Sequence, residues 1–278
     1  MKTRKDIFKD FGIEYDSKAE KILAPWNEYI PLPLKKGNSK VGSKAWAFSM
    51  THGNETFKVS DFGYRTQAVM NSACVSEITG SCACHCDHCY CDSGCYNFDS
   101  TKASNMINLI LARFYVDFLK RAILAQIKAY KITQCRIHAS GDFLSDEYID
   151  MWKEIVIECT TVIFWTYTKV ESALNAFQEM QNLSIVPSNT PHGINFGTCG
   201  ELLKKYEQLT KDGYKVHICA CGTEFEKHCC DCTTGCKAIG NGIDFVLFIL
   251  HSTGDYKAGE KDVDDFNKVV EIIKAQEN

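Results

Sequence analysis

From residue 72 to residue 276, short and nearly continuous apolar runs alternate with longer amphipathic ones, and this constrains the fold more than any other feature. SACVSEI (72–78) reads as a strand leading directly into a cysteine-rich loop. MINLILARFYVDFLKRAILAQIKAY (106–130) reads as one long helix, with Arg and Lys spaced between its Leu, Ile, Ala and Phe. CRIHAS (135–140), TVIFWTYT (161–168) and LSIVPS (183–188) are strands rich in β-formers. Helices over 145–159, opened by Ser145, and over 170–181 separate them. HGINFG (192–197), YKVHIC (214–219) and DFVLFIL (244–250) add strands, and 201–213 and 261–276 add helices. Strands that are apolar on both faces belong to a parallel sheet covered by helices. Roughly six such units predict an α/β fold, a partial (β/α)6-like parallel barrel over 72–278, with an open doubly wound sheet as the alternative.

Residues 1–71 read differently, as an accessory segment packed on that barrel. PWNEYIPLPLKKGNSKVGSK (25–44) carries three prolines and reads as a loop or arm. KAWAFSMTHGNETFKVSD (44–61) reads as a hairpin around His52-Gly53-Asn54. The net charge of -4 gives no bulk signal for nucleic acid, although Lys35, Lys36, Lys40 and Lys44 form a small basic patch in the arm. No apolar run reaches the roughly eighteen residues of a membrane span. The first residues hold charges but no apolar segment, so the expectation is a cytoplasmic protein without a membrane.

Sixteen cysteines are far more than such a globule needs. In a reducing compartment, clustered cysteines more often bind metal than form disulfides. Six lie in SCACHCDHCYCDSGCY (81–96) and six in 219–236, and these two insertions, 81–96 and 219–237, interrupt the strand–helix pattern. Cys74, Cys135, Cys159 and Cys199 are scattered and read as small buried hydrophobes. Cys82, Cys86 and Cys89 have the spacing C-x3-C-x2-C. Three thiolates suit a 4Fe–4S cluster with one open iron. Zinc wants a fourth ligand, which Cys84, Cys91 or Cys95 offers. Cys221, Cys230, Cys232 and Cys236 form a second ligand set, for an auxiliary cluster or a zinc staple, with Cys219 and Cys229 equally eligible.

In parallel α/β folds the site gathers at the carboxyl ends of the strands. Those ends carry His138, Ser140, Gly141 and Asp142, then Tyr167, Thr168 and Lys169, then Asn195. Strand alternation places Arg136, His138 and Ser140 on one face, and Trp165, Tyr167 and Lys169 on one face. His138, Tyr167 and Lys169 are the candidate catalytic residues. Ser140, Gly141, Asp142 and Asn195 are the candidate cofactor-binding residues. No GxGxxG or GxxxxGK[ST] loop is present.

A strand running into C-x3-C-x2-C, with a Gly–acid pair after the next strand, resembles the radical S-adenosylmethionine superfamily. The resemblance implies a 4Fe–4S cluster on Cys82, Cys86 and Cys89, whose open iron chelates S-adenosylmethionine. Ser140-Gly141-Asp142 stands where that superfamily has a Gly-Gly-Glu-like turn. The implied function is an iron–sulfur enzyme with a second cluster, a reductant, and a small-molecule or peptide substrate. The alternative is a non-radical metalloprotein that binds nucleic acid or a partner for a mobile element. A closer resemblance is to the gene product 88 family of phage and mobile-element proteins. It rests on Cys89-Tyr90 or Cys95-Tyr96, the run Arg136–Phe143 with Ser145 and Tyr148, then Trp152, Tyr167-Thr168-Lys169, and Cys229-Cys230-Asp231-Cys232 with Cys236. That resemblance implies membership and no particular reaction.

Overall fold

The computed structural model describes residues 2–37, 42–52, 56–81, 99–187, 193–196, 198–219, 244–249 and 263–276. The N-terminal part holds α1 (Arg4–Asp10), β1 (Tyr15–Asp16), β2 (Lys21–Leu23), β3 (Tyr29–Pro31), β4 (Lys35–Lys36), β5 (Trp46–Ser49), β6 (Thr56–Lys58), α2 (Tyr64–Ser72) and β7 (Glu77–Thr79). The middle holds α3 (Asp99–Phe114), α4 (Val116–Tyr130), β8 (Gln134–Ser140), α5 (Asp146–Glu158), β9 (Ile163–Thr168), α6 (Glu171–Phe177) and β10 (Leu183–Pro187). The last part holds β11 (Gly193–Phe196), α7 (Cys199–Lys211), β12 (Val216–Cys219), β13 (Phe245–Ile249) and α8 (Val263–Gln276).

The protein is α/β, as the alternation predicts, but the described strands form several sheets. A five-stranded sheet has the order β10-β9-β8-β5-β4, and a separate three-stranded sheet the order β11-β13-β12. All pairings in the first are parallel except β4 with β5, and those in the second are all parallel. Among the described residues no closed barrel forms. No helix among them is long and apolar enough to cross a membrane.

Helix α5 shows why this part of the chain folds as it reads. The Ser145 hydroxyl accepts from the Tyr148 N–H, capping the first turn, and Asp146 and Glu147 complement the positive end of the helix dipole. Its buried residues, Tyr148, Ile149, Met151, Trp152, Ile155 and Val156, form one stripe at helical spacing. That stripe joins α4 and α6 in one core with Phe48, Ile137 and Phe164 of the sheet. A second core places Leu202, Leu209, Val269 and Ile273 of α7 and α8 with Ile218 and Leu247 of the three-stranded sheet.

Three local expectations are corrected. Residues 64–72 are helical, and the strand expected over 72–78 shrinks to β7, which pairs antiparallel with β6. The helix ends with Cys74 in the left-handed region (φ 56), where Cys74 N–H donates to Asn71 O and Val75 N–H to Met70 O. Left-handed caps are usually glycine, so nothing in the residue type announces this stop, and Cys74 is exposed rather than buried. The expected hairpin does not form, because β5 and β6 belong to different sheets. The long helix is two helices, α3 and α4, broken at Tyr115 (φ -141), whose ring packs on Trp26.

Strand β5, from the N-terminal 71 residues, is the parallel neighbour of β8. Buried amides hold this region in place. Gln126 of α4 accepts from Leu34 N–H at 2.9 Å and donates to Leu34 O at 2.8 Å. Asn108 of α3 donates to both Pro33 O and Ser49 O. Each amide thus stands in for a missing backbone partner, which removes the penalty of burying those groups unpaired.

Candidate functional site

The carboxyl ends of β5, β8 and β9 converge at one edge of the five-stranded sheet. Ser140 closes β8, its hydroxyl donating to Met50 O at 2.8 Å while its carbonyl accepts from Met50 N–H. His52 follows, with Nδ1 3.4 Å from Ser140 Oγ. Ser81, almost fully buried, donates to Thr51 O from its N–H and its hydroxyl. The chain therefore leaves this edge directly into the first cysteine-rich segment.

Gly141 has φ +89, and a Cβ there would stand 2.6 Å from Ser81 Oγ and 3.2 Å from Met50 Cβ. Only glycine fits both that backbone and that approach. Gly141→Ala is expected to destabilise the protein by about 2 kcal/mol from backbone strain and crowding. Urea denaturation would measure this, and unchanged stability would contradict the close packing of Ser81.

Asp142 is buried, yet both its oxygens are engaged. Oδ1 accepts from Phe143 N–H at 2.9 Å and from the Thr168 hydroxyl at 2.5 Å, and Oδ2 accepts from Lys169 N–H at 2.9 Å. Burial pushes its pKa up, while these hydrogen bonds and the charge of Lys169 pull it back. The carboxylate ties the end of β8 to the end of β9.

His138 lies elsewhere than strand alternation predicts. Ala47 pairs with Arg136 but Ser49 pairs with Ser140, so two steps on β5 face four on β8. The surplus residues form a bulge, and His138 sits in it with φ 59. The bulge breaks the shared face expected for Arg136, His138 and Ser140. His138 turns into the helix-side core, its ring within 6.3 Å of the centroids of Phe48, Phe143, Tyr148 and Trp152. Its Nε2 is 2.8 Å from the Tyr148 hydroxyl, and its Nδ1 has no partner among the described residues. Burial, with Arg136 adding to it, pushes its pKa down to about 3. The imidazole is therefore neutral across the physiological range.

Arg136 stays on the other face, its guanidinium 4.9 Å from the centroid of Tyr167. Lys169 is half-exposed beside Asp142. The structure thus brings Ser140, Gly141, Asp142 and Lys169 to one edge, with His138 beneath it and Tyr167 one strand away. Asn195 lies on β11, in the three-stranded sheet. Cys82, Cys86, Cys89, Cys221, Cys230, Cys232 and Cys236 lie outside the described residues. Among the described residues, no group of three or more His, Cys, Asp or Glu side chains is placed to hold a metal ion.

His52 and Ser81 join the site without a site role in the sequence analysis, and Tyr148 enters from the family motif. His52 and Ser81 arrive through the pairing of β5 with β8 and the Thr51–Ser81 contact, and neither leaves a mark in local sequence. Chemically, this edge offers a saturated carboxylate, a neutral buried histidine, the ammonium of Lys169 and the imidazole of His52. Such an edge is equipped for binding more than for proton transfer.

The "Gene 88 protein" of Mycobacterium phage D29 is 33% identical over 100 residues, 35% of this chain and 38% of the relative. That of Mycobacterium phage L5 is 31% identical over 99 residues, again 35% of this chain and 38% of the relative. The chain thus spans under two-fifths of the length of these curated relatives. No solved structure matches. The family model for Gene product 88 matches residues 32–238.

These findings overturn the expected iron–sulfur enzyme of the radical S-adenosylmethionine kind and its metalloprotein alternative. The family and both relatives are gene 88 proteins, with no radical S-adenosylmethionine resemblance. The strand meant to open the barrel is instead the antiparallel β7, and the parallel neighbour of β8 is β5. Matched over well more than half its length, the chain belongs to the Gene product 88 family.

Proposed function

We propose that this is a binding protein whose working site is the carboxyl edge of the five-stranded sheet, and that it takes a small carboxylate- or phosphate-bearing molecule. The observation that supports this reading is the gathering of Lys169, whose charge acts on Asp142, and His52, beside Ser140, at the carboxyl ends of β5, β8 and β9. Asp142 does not repel an anion strongly, because three donors already share its charge. Ligands of parallel sheets bind at such edges, beyond the strand ends.

Thermal-shift and calorimetric titration with inorganic phosphate, citrate and succinate should find saturable binding that Lys169→Ala weakens at least tenfold without loss of fold. Absence of binding, or binding indifferent to Lys169→Ala, would reject the site.

A further inference from the structure

The opposite edge of the same sheet carries a second, unrelated feature. A groove of about 630 Å³ is lined there by Lys36, Lys44, Trp46, Tyr130, Lys131 and Thr133, among others. It lies where β5 begins and β8 is about to begin, so it is remote in the fold from the edge that holds Ser140 and Lys169. Three of its lining residues are lysines, all exposed, and none is Asp or Glu. Glu20, which accepts from the Tyr130 hydroxyl, is neutralised by Arg4 at 3.0 Å.

The local backbone builds this arrangement. Lys36 pairs directly with Trp46 across the β4–β5 ladder, so both side chains stand on one face. Lys131 closes α4 in the left-handed region (φ 51), which presents its side chain beside Tyr130. The Tyr130 ring is covered by the Arg4 guanidinium at 4.1 Å and by the edge of Trp46 at 5.1 Å. Trp46 is the half-buried aromatic left to line the groove. The carboxyl end of α4 brings about half a negative charge here, and three ammonium groups outweigh it.

An aromatic ring among ammonium groups, with no acid in the lining, matches a ligand that joins a π-system to phosphate. We propose that this groove binds a nucleotide, its base against Trp46 and its phosphates against Lys36, Lys44 and Lys131. The same chemistry is offered by a free nucleotide and by a nucleotide within a single strand.

The experiment titrates the full chain with ATP, a fluorescein-labelled single-stranded oligonucleotide and inorganic phosphate, at two salt concentrations. The triple variant Lys36→Gln/Lys44→Gln/Lys131→Gln should weaken nucleotide binding at least thirtyfold and flatten its salt dependence. Trp46→Leu should weaken it about tenfold, with circular dichroism checking the fold, and Lys204→Gln on α7 should change nothing. ATP bound more tightly than the oligonucleotide would assign a free nucleotide, and the reverse order would assign a strand. If neither binds, if the triple variant binds as well as the parent, or if phosphate alone binds as tightly as ATP, the proposal fails. All titrations use the Lys169→Ala background, which removes phosphate binding at the other edge, so the two sites stand or fall separately.

Discussion

Asp142→Ala is expected to lower the stability of the protein by about 3 kcal/mol, at about 1 kcal/mol for each orphaned buried donor. The Phe143 N–H, the Thr168 hydroxyl and the Lys169 N–H all converge on this carboxylate. Alanine leaves them without an acceptor where water has little access. Asp142→Asn should be milder, about 1–2 kcal/mol, since its carbonyl oxygen keeps the Phe143 and Thr168 bonds. Its amide, however, meets Lys169 N–H donor to donor. The neutral amide also escapes the desolvation that pushes the Asp142 pKa up. Urea denaturation of the three proteins at neutral pH measures the order. Equal stability of the parent and the alanine variant would mean that the carboxylate does not tie β8 to β9.

What the sequence made legible is what local chemistry decides. Ser145, two acidic residues and a helical apolar stripe identify α5 without reference to anything distant. The runs at β8, β9 and β10 are apolar enough to be read as covered parallel strands. Ser140, Gly141 and Asp142 stand out as candidate site residues because they follow a strand end, and the motif around them belongs to the family that matches. The pairing of β5 with β8 was not legible, because partners separated by about 90 residues leave no local signal. That error displaced the first strand into residues 72–78 and with it the template for a radical enzyme.

His138 shows a subtler failure, one of period. Alternation assumes an unbroken strand, and a bulge with a residue in the left-handed region turns that side chain off the face alternation assigns to it. Histidine adopts that region more readily than most side chains, but no composition rule marks where it will. The bulge is held by the aromatic packing that receives the ring, which is tertiary and unavailable to a one-dimensional reading. Cys74 is a parallel case, a left-handed helix stop made without glycine.

That burial of His138 makes stability fall with acidification. Its folded pKa is depressed to about 3, first by burial and then by Arg136. Unfolded, the same group takes up a proton near pH 6.5. Below that pH the unfolded chain binds the extra proton and the folded chain does not, so stability drops as pH falls and levels off near the folded pKa. From pH 6.5 to pH 5 the loss should be about 2 kcal/mol. Asp142 acts in the opposite sense. Its pKa is raised, so its contribution is greatest at low pH and is lost as pH rises. Tyr148, whose pKa is pushed well up, stays protonated throughout. His138→Asn separates the histidine from both, because asparagine tolerates the left-handed backbone and does not titrate. The variant loses aromatic packing, so its stability at pH 7 should be lower than the parent's. Its stability between pH 7 and pH 5 should nevertheless decline less steeply, and the difference in slope is the histidine's own. Urea midpoints at half-unit pH steps provide the comparison. Parallel curves for the two proteins would place the His138 ring in contact with solvent, contrary to the packing of Phe48, Phe143 and Trp152 around it.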